Sequence, residues 1–170
     1  QIMRPTRGLQ KRLFREMRNR IKETDVSVPA KRDDYYYYTR TEKGQQYPIY
    51  CRKHGDLKAT EEVLLDQNQL AAGHKYLQLG IFAVSPNHQY LAYSIDTKGS
   101  EEYTVYFKNL ATGQLLADTI ANTSYGFAWA NDNATVFYTT LDKIKRPDKL
   151  WRHRIGTTAD TDQLVYSEPD

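Results

Sequence analysis

The chain has 170 residues, 39% of them hydrophobic and 26% charged, with a formal net charge of +3. That length supports one ordinary domain with its own core, and the balance is that of a globular protein rather than a disordered or fibrous one. No apolar run approaches the roughly 18 residues of a membrane span, and the charged, polar start (Gln1, Arg4, Arg7) does not read as a secretory leader, so the expectation is a cytoplasmic protein without a membrane partner.

The charge is uneven. Residues 1–32 carry a local balance of +7 and the remainder one of −4, so the basic character belongs to the front segment. There Leu9, Leu13, Phe14, Met17 and Ile21 recur at helical spacing, which predicts an amphipathic helix over roughly Leu9 to Glu23. The β-branched run ending in Pro29 should stop it near Thr24. Arg12, Arg15, Arg18 and Lys22 fall mostly off the apolar stripe and read as the solvated face of a docking helix.

From Tyr35 onward the pattern becomes short strands and turns, and the fourteen tyrosines fit pleated, half-buried positions. Tyr35–Arg40 and Tyr47–Lys53 flank Glu42-Lys43-Gly44-Gln45 as a hairpin, and Glu62–Asp66 follows as a strand. Gln67–Ala72 reads as a short helix. Leu79–Val84, Tyr90–Ile95 and Tyr103–Leu110 come next. After them stand Leu115–Leu116, Gly126–Trp129, Thr135–Thr140, Leu150–Ile155 and Gln163–Tyr166.

The strands repeat. Phe82-Ala83-Val84-Ser85-Pro86-Asn87 leads to Tyr90-Leu91-Ala92-Tyr93-Ser94, and Phe127-Ala128-Trp129-Ala130-Asn131-Asp132 leads to Thr135-Val136-Phe137-Tyr138-Thr139, 45 residues on. Tyr106 matches Trp151 and Leu110 matches Ile155 at the same offset. Four strands per unit of 40–50 residues is the pattern of a propeller blade, which buries its faces only against neighbouring blades. The predicted fold is therefore mainly β: a partial β-propeller of two to three four-stranded antiparallel blades after an N-terminal helix. The domains fall at 1–33 for the helical lead-in and 34–170 for the propeller part. Within the latter lie an incomplete blade at 34–66, a second at about 79–117 and a third at about 125–167. So few blades cannot close a ring, and the isolated chain is expected to self-associate through open faces or edges.

Candidate sites are few. Cys51, in the strand-like Ile49-Tyr50-Cys51, reads as a small core residue with no internal disulfide partner. His54, His74, His88 and His153 show no metal-ligand spacing; no metal and no cofactor is expected. Glu101-Glu102 reads as a solvated loop. The triplets Asn122-Thr123-Ser124 and Asn133-Ala134-Thr135 would matter only in a secreted protein. There is no Gly-x-Ser-x-Gly elbow, and Pro86 removes the backbone N–H that Ser85 would need beside it as a nucleophile; no catalytic residue is assigned.

Several runs resemble the oligopeptidase B enzymes of the prolyl oligopeptidase family of serine peptidases. They are Phe14-Arg15-Glu16-Met17, Arg20-Ile21-Lys22-Glu23-Thr24-Asp25 with Ser27-Val28-Pro29, Tyr35-Tyr36-Tyr37-Tyr38-Thr39-Arg40, Tyr47-Pro48-Ile49-Tyr50-Cys51-Arg52, Glu62-Val63-Leu64-Leu65-Asp66, Phe127-Ala128-Trp129-Ala130-Asn131-Asp132 and Leu150-Trp151-Arg152-His153-Arg154-Ile155-Gly156-Thr157. The turn Asn87-His88-Gln89 departs from the Asp-Gly common in propeller repeats. The resemblance implies a seven-bladed propeller capping a C-terminal α/β-hydrolase domain that holds the Ser-Asp-His triad. It further implies cleavage of short peptides after Arg or Lys, a propeller that restricts substrate size, and a lead-in that packs on the hydrolase domain. Asp142 and Arg146, in a loop between blade strands, are the candidates for an interdomain contact. The rival reading is a self-contained interaction module whose basic arm and Tyr35–Tyr38 cluster bind an acidic partner or single-stranded RNA; the preferred reading has no nucleic acid partner.

Overall fold

The structure is a computed structural model that describes residues 4–168. Gln1, which opens the expected lead-in, and Asp170, which closes the expected propeller part, lie outside the described residues. By contact density the chain divides into two compact units, Gln1–Asn68 and Gln69–Asp170.

In the first unit, helix α1 runs Arg7–Asn19, shorter at its C-terminal end than the apolar spacing predicts. The Arg20 N–H bonds the Met17 carbonyl and the Ile21 N–H that of Arg18, both at 3.1 Å. These i−3 closures tighten the last turn and end it, and Arg18 then ties Glu23 back at 2.7 Å. No residue of α1 is buried, and Phe14 and Met17 are each 66% exposed.

The structure adds two strands that periodicity did not reveal. Strands β1 (Asp25–Val26) and β2 (Ala30–Arg32) both pair antiparallel with β3 (Tyr35–Thr41). Two- and three-residue strands are too short to show alternation. Strands β4 (Ile49–His54) and β5 (Glu62–Asp66) extend the sheet in the order β1-β3-β4-β5. The expected hairpin turn is there, with the Gln45 N–H on the Glu42 carbonyl at 3.0 Å and Gly44 at φ +84°. Strand β4 begins two residues later than expected, because Pro48 has no N–H for the ladder. The Asn68 amide instead bonds the N–H and carbonyl of Tyr47, at 2.8 Å each. Tyr38, Ile49 and Cys51 form the small core between these strands.

A short helix, α2 (Gln67–Ala71), stands at the junction. The second unit is one antiparallel run of seven strands in sequence order: β6 (Gln78–Val84), β7 (Tyr90–Asp96), β8 (Tyr103–Asn109), β9 (Leu115–Trp129), β10 (Thr135–Leu141), β11 (Pro147–Arg154) and β12 (Gln163–Ser167). The separate strands expected at Leu115–Leu116 and Gly126–Trp129 are the two ends of one 15-residue strand. Its first half pairs with β8 (Ile120 opposite Val105) and its second with β10 (Ala128 opposite Phe137). The turn lies inside it, at Asn122 with φ +56°, and Thr123 pairs with both Tyr103 and Thr140. β-Branched Thr119, Ile120 and Thr123 keep the connection extended. The architecture is thus a mainly β, unclosed partial propeller with a leading helix.

Two glycines 46 residues apart, one on β6 and one on β9, meet close neighbours. A Cβ on Gly80 would lie 2.7 Å from both Ser94 Oγ and the Tyr103 ring, and one on Gly126 would lie 2.5 Å from Thr139 Oγ1. Pairing shifts register beside both. Tyr103 is fully buried and cannot yield, so Gly80→Ala should destabilise the second unit by about 1–3 kcal/mol. Gly8→Ala, where nothing lies within 4 Å, should be neutral or stabilising by up to about 1 kcal/mol; urea unfolding of the two variants checks both.

Candidate functional site

The repeat builds its loops with one device. At the β6–β7 turn, Asn87 Oδ1 accepts the Gln89 N–H at 3.1 Å while His88 sits at φ +60°. Forty-five residues on, Asp132 Oδ1 accepts the Ala134 N–H at 3.0 Å and Asn133 sits at φ +59°. His88 therefore fills the left-handed position that glycine takes in an Asp-Gly turn, and Asn133 has a turn role of its own. Ser85 is committed to the same turn: its Oγ donates to Asn87 Oδ1 (2.7 Å) and accepts from the Tyr90 N–H (2.9 Å).

The loops after β7 and β10 use a carboxylate. Asp96 is 1% exposed and accepts the N–H groups of Lys98 (2.7 Å), Gly99 (3.0 Å) and Glu101 (2.8 Å). Burial by itself would raise its carboxyl, but those amides outweigh it and hold the group below the ordinary carboxylate range. Asp142, the first interdomain-loop candidate, occupies the corresponding place after β10. Its Oδ1 accepts the N–H groups of Ile144 and Arg146 at 2.8 Å each. Its Oδ2 accepts Arg146 Nε at 3.1 Å. The Arg146 amide is the main cause that keeps this carboxyl below its usual range. Arg146, the second candidate, is therefore brought directly onto Asp142, with its side chain 69% exposed.

Lys145, between them at φ +67°, reaches out of this loop. Its Nζ donates to the Ser100 carbonyl at 2.9 Å and meets Glu102 Oε1 at 2.6 Å. Loop 142–146 is thus strapped to the loop after β7. Glu101 and Glu102 separate accordingly: Glu101 takes φ +60°, and Glu102 is an ion-pair partner. An open groove of about 940 Å³ runs beside the strapped loop, lined by Leu141, Ile144, Pro147, Lys149 and Glu168 among others. Ile144 is 67% exposed there. The site is a charged, apolar-tipped loop pair at one end of the sheet, suited to contact rather than bond-making.

Of the other singled-out residues, Cys51 is 1% exposed, and burial pushes its thiol up to about 11. His153 is fully enclosed between Asp118 and Asp162. Sequence reasoning missed both Lys145 and this cluster: the partners lie 45, 35 and 9 residues away, and only the offset of 45 has a counterpart in the sequence pattern. Among the described residues no group of three His, Cys, Asp or Glu side chains could hold a metal, and no helix is long and apolar enough to cross a membrane.

A family model for the prolyl oligopeptidase N-terminal beta-propeller domain matches residues 1–170, and the chain belongs to that family. Among its relatives, it is 38% identical to Protease 2 of Moraxella lacunata over 177 residues, covering 100% of this chain and 26% of that protein. It is 38% identical to dipeptidyl aminopeptidase BI of Pseudoxanthomonas mexicana, covering 99% of this chain and 26% of the relative. Among solved structures it is similar to oligopeptidase B from Leishmania major, with a TM-score of 0.92 at 34% identity over 99% of this chain and 24% of that one. Oligopeptidase B from Trypanosoma brucei, with covalently bound antipain, superposes with a TM-score of 0.90 at 32% identity over 99% of this chain and 24% of that one. The chain spans about a quarter of the length of these relatives and corresponds to their propeller segment.

Two outcomes test the local chemistry. Asp96 is depressed in the fold, so its contribution is present above the unfolded value of about 3.9 and is lost as pH falls through the lower folded value. Asp96→Asn should cost about 2 kcal/mol near neutral pH and flatten the acid limb of a stability–pH curve; an unchanged limb refutes the assignment. Cys51 should react with a disulfide reagent roughly a hundredfold more slowly in the folded chain than in denaturant, because burial suppresses the thiolate; comparing the two labelling rates checks it.

Proposed function

We propose that this chain is the N-terminal propeller part of an oligopeptidase B-like serine endopeptidase that cleaves short peptides after Arg or Lys. The observation that carries this reading is the likeness to oligopeptidase B along 99% of the chain, with a TM-score of 0.92. Chemistry resides in a C-terminal α/β-hydrolase domain, the partner of this chain. There a serine attacks the scissile carbonyl, a histidine moves the proton, and backbone N–H groups hold the oxyanion. The propeller contributes no reacting group; it narrows access so that only short peptides arrive.

Within it, residues 34–66 supply an incomplete blade, about 79–117 a second and about 125–167 a third, and residues 1–33 the lead-in that docks on the catalytic domain. The 45-residue correspondence and the antiparallel ladders support those divisions. Asp142 and Arg146 are interdomain contacts, a role supported by the hydrogen-bonded loop that holds them and the exposure of Arg146. By itself the chain self-associates along β12, where Leu164, Val165 and Tyr166 are each about half exposed. The protein works in the cytoplasm, in keeping with a single thiol that has no internal partner.

The test is hydrolysis of arginyl and lysyl amide substrates. The complete protein should turn them over and lose activity to a serine-directed reagent, and this chain alone should be inert. Serine-directed turnover by the chain alone, or none by the complete protein, overturns the reading.

A further inference from the structure

No residue of strand β12 is fully buried, and Leu164, Val165 and Tyr166 are each about half exposed, so apolar packing holds it only weakly on the sheet. What stands at its entrance is a buried polar cluster. His153, from β11, is 0% exposed and is flanked on opposite ring nitrogens by Asp162, immediately before β12, and Asp118, from β9, whose side chains are 1% and 3% exposed. Nδ1 lies 2.7 Å from Asp162 Oδ1 and Nε2 lies 3.3 Å from Asp118 Oδ2. The Tyr138 hydroxyl, from β10, donates to Asp162 Oδ2 at 2.8 Å. The Gly156 N–H donates to Asp118 Oδ2 at 2.8 Å. Phe107, from β8, stacks on the imidazole with a centroid separation of 5.5 Å and an interplanar angle of 15°. The chain neighbours Arg152 and Arg154 are exposed and lie on the other face of β11.

Hydrogen-bond counting decides the state of this cluster. A neutral imidazole has one N–H, so one of its nitrogens would present a lone pair to a carboxylate in a dry interior. Asp118 Oδ2 is already an acceptor for a backbone N–H, and Asp162 already accepts the Tyr138 hydroxyl. Both carboxylates are therefore placed to accept from the ring, and only an imidazolium satisfies both. The ligands sit on opposite edges of the ring and do not converge on a point, so the arrangement is not a metal site.

We propose that Asp118, His153 and Asp162 form a buried latch, in which His153, donating from both ring nitrogens, ties the Gly156 turn and the Ala159–Thr161 turn to β9 and so helps fasten β12 to the sheet. Removing the imidazole leaves the Asp118 and Asp162 carboxylates without their shared donor. The turn segment from Gly156 to Asp162 then loosens from β9.

The experiment uses the chain labelled with ¹⁵N-histidine. Signals from an N–H at both ring nitrogens of His153 should be observed. In Asp118→Asn only the Nδ1 signal should remain. A single N–H in the wild type, as a protonated aspartic acid beside a neutral ring would give, overturns the proposal whether or not the variant folds. Amide exchange supplies the second readout. Protection of residues 156–163 should be about tenfold lower in His153→Gln than in the wild type, with β6 and β7 unaffected. Unchanged protection there, or an equal loss in β6 and β7, overturns it.

Discussion

The contact on which the second unit depends is the apolar layer between its two ladders. Ile81, Ala92, Val105, Phe107 and Ile120 come from the strands around β7 and β8, and Val136 and Tyr138 come from β10; none of the seven is more than 6% exposed. Trp129, Trp151 and Ile155 pack around them. A hairpin alone is marginal in water, whereas each large side chain taken out of water contributes about 1.5–3 kcal/mol. The ladders therefore stand because they stack, and the four-strand unit is a unit of pairing before it is a unit of stability. Strand β9 makes the stacking compulsory: as one 15-residue strand it belongs to both ladders, so the chain cannot finish one without starting the next.

An apolar layer does not fix how one ladder is set against the other, since greasy faces slide. Directional bonds at nearly one repeat do that. The Trp129 indole N–H donates to the Ala83 carbonyl at 3.0 Å, 46 residues away. The Asn87 N–H donates to Asn133 Oδ1 at 2.7 Å, also 46 residues away. Lys145 reaches Ser100 at 45. Nearly the same spacing that makes the sequence repetitive thus brings near-equivalent positions of neighbouring ladders together, and polar groups at those positions set the phase.

This explains what could be read from the sequence. Strand type, the 45-residue period and the hairpin at Glu42–Gln45 rest on local chemistry and were legible. The continuity of β9 was not, because two short apolar runs separated by Ala, Asp, Thr and Asn look like two strands; only the second pairing partner makes the intervening residues extended. The strands Asp25–Val26 and Ala30–Arg32 exist by virtue of β3 and carry no period of their own. Of the candidate loop, Asp142 and Arg146 could be singled out by position, but their mutual pairing and the reach of Lys145 required the backbone turn at φ +67°. His153 gave no signal beyond alternation with Trp151. A buried histidine's partners are chosen by the fold, here from 35 and 9 residues away.

The two charged clusters of the second unit do different work, and burial decides which. Lys145 and Glu102 are 45% and 41% exposed, so water and salt screen them and the pair contributes at most about 1 kcal/mol. The Lys145 bond to the Ser100 carbonyl chiefly limits where the two loops can go. His153 with its aspartates is dry, and removing such charges from water costs several kcal/mol per ion before pairing offsets it. A cluster of that kind adds little net stability, yet any arrangement that breaks it strands a buried charge at about 3–5 kcal/mol. Its effect is therefore selective: among registers in which β11 and β12 could pair with similar apolar contact, only the one that delivers Asp118 and Asp162 to opposite edges of a single imidazole is tolerated. For a strand with no fully buried residue, that exclusion adds to its ladder with β11 in giving it one place on the sheet.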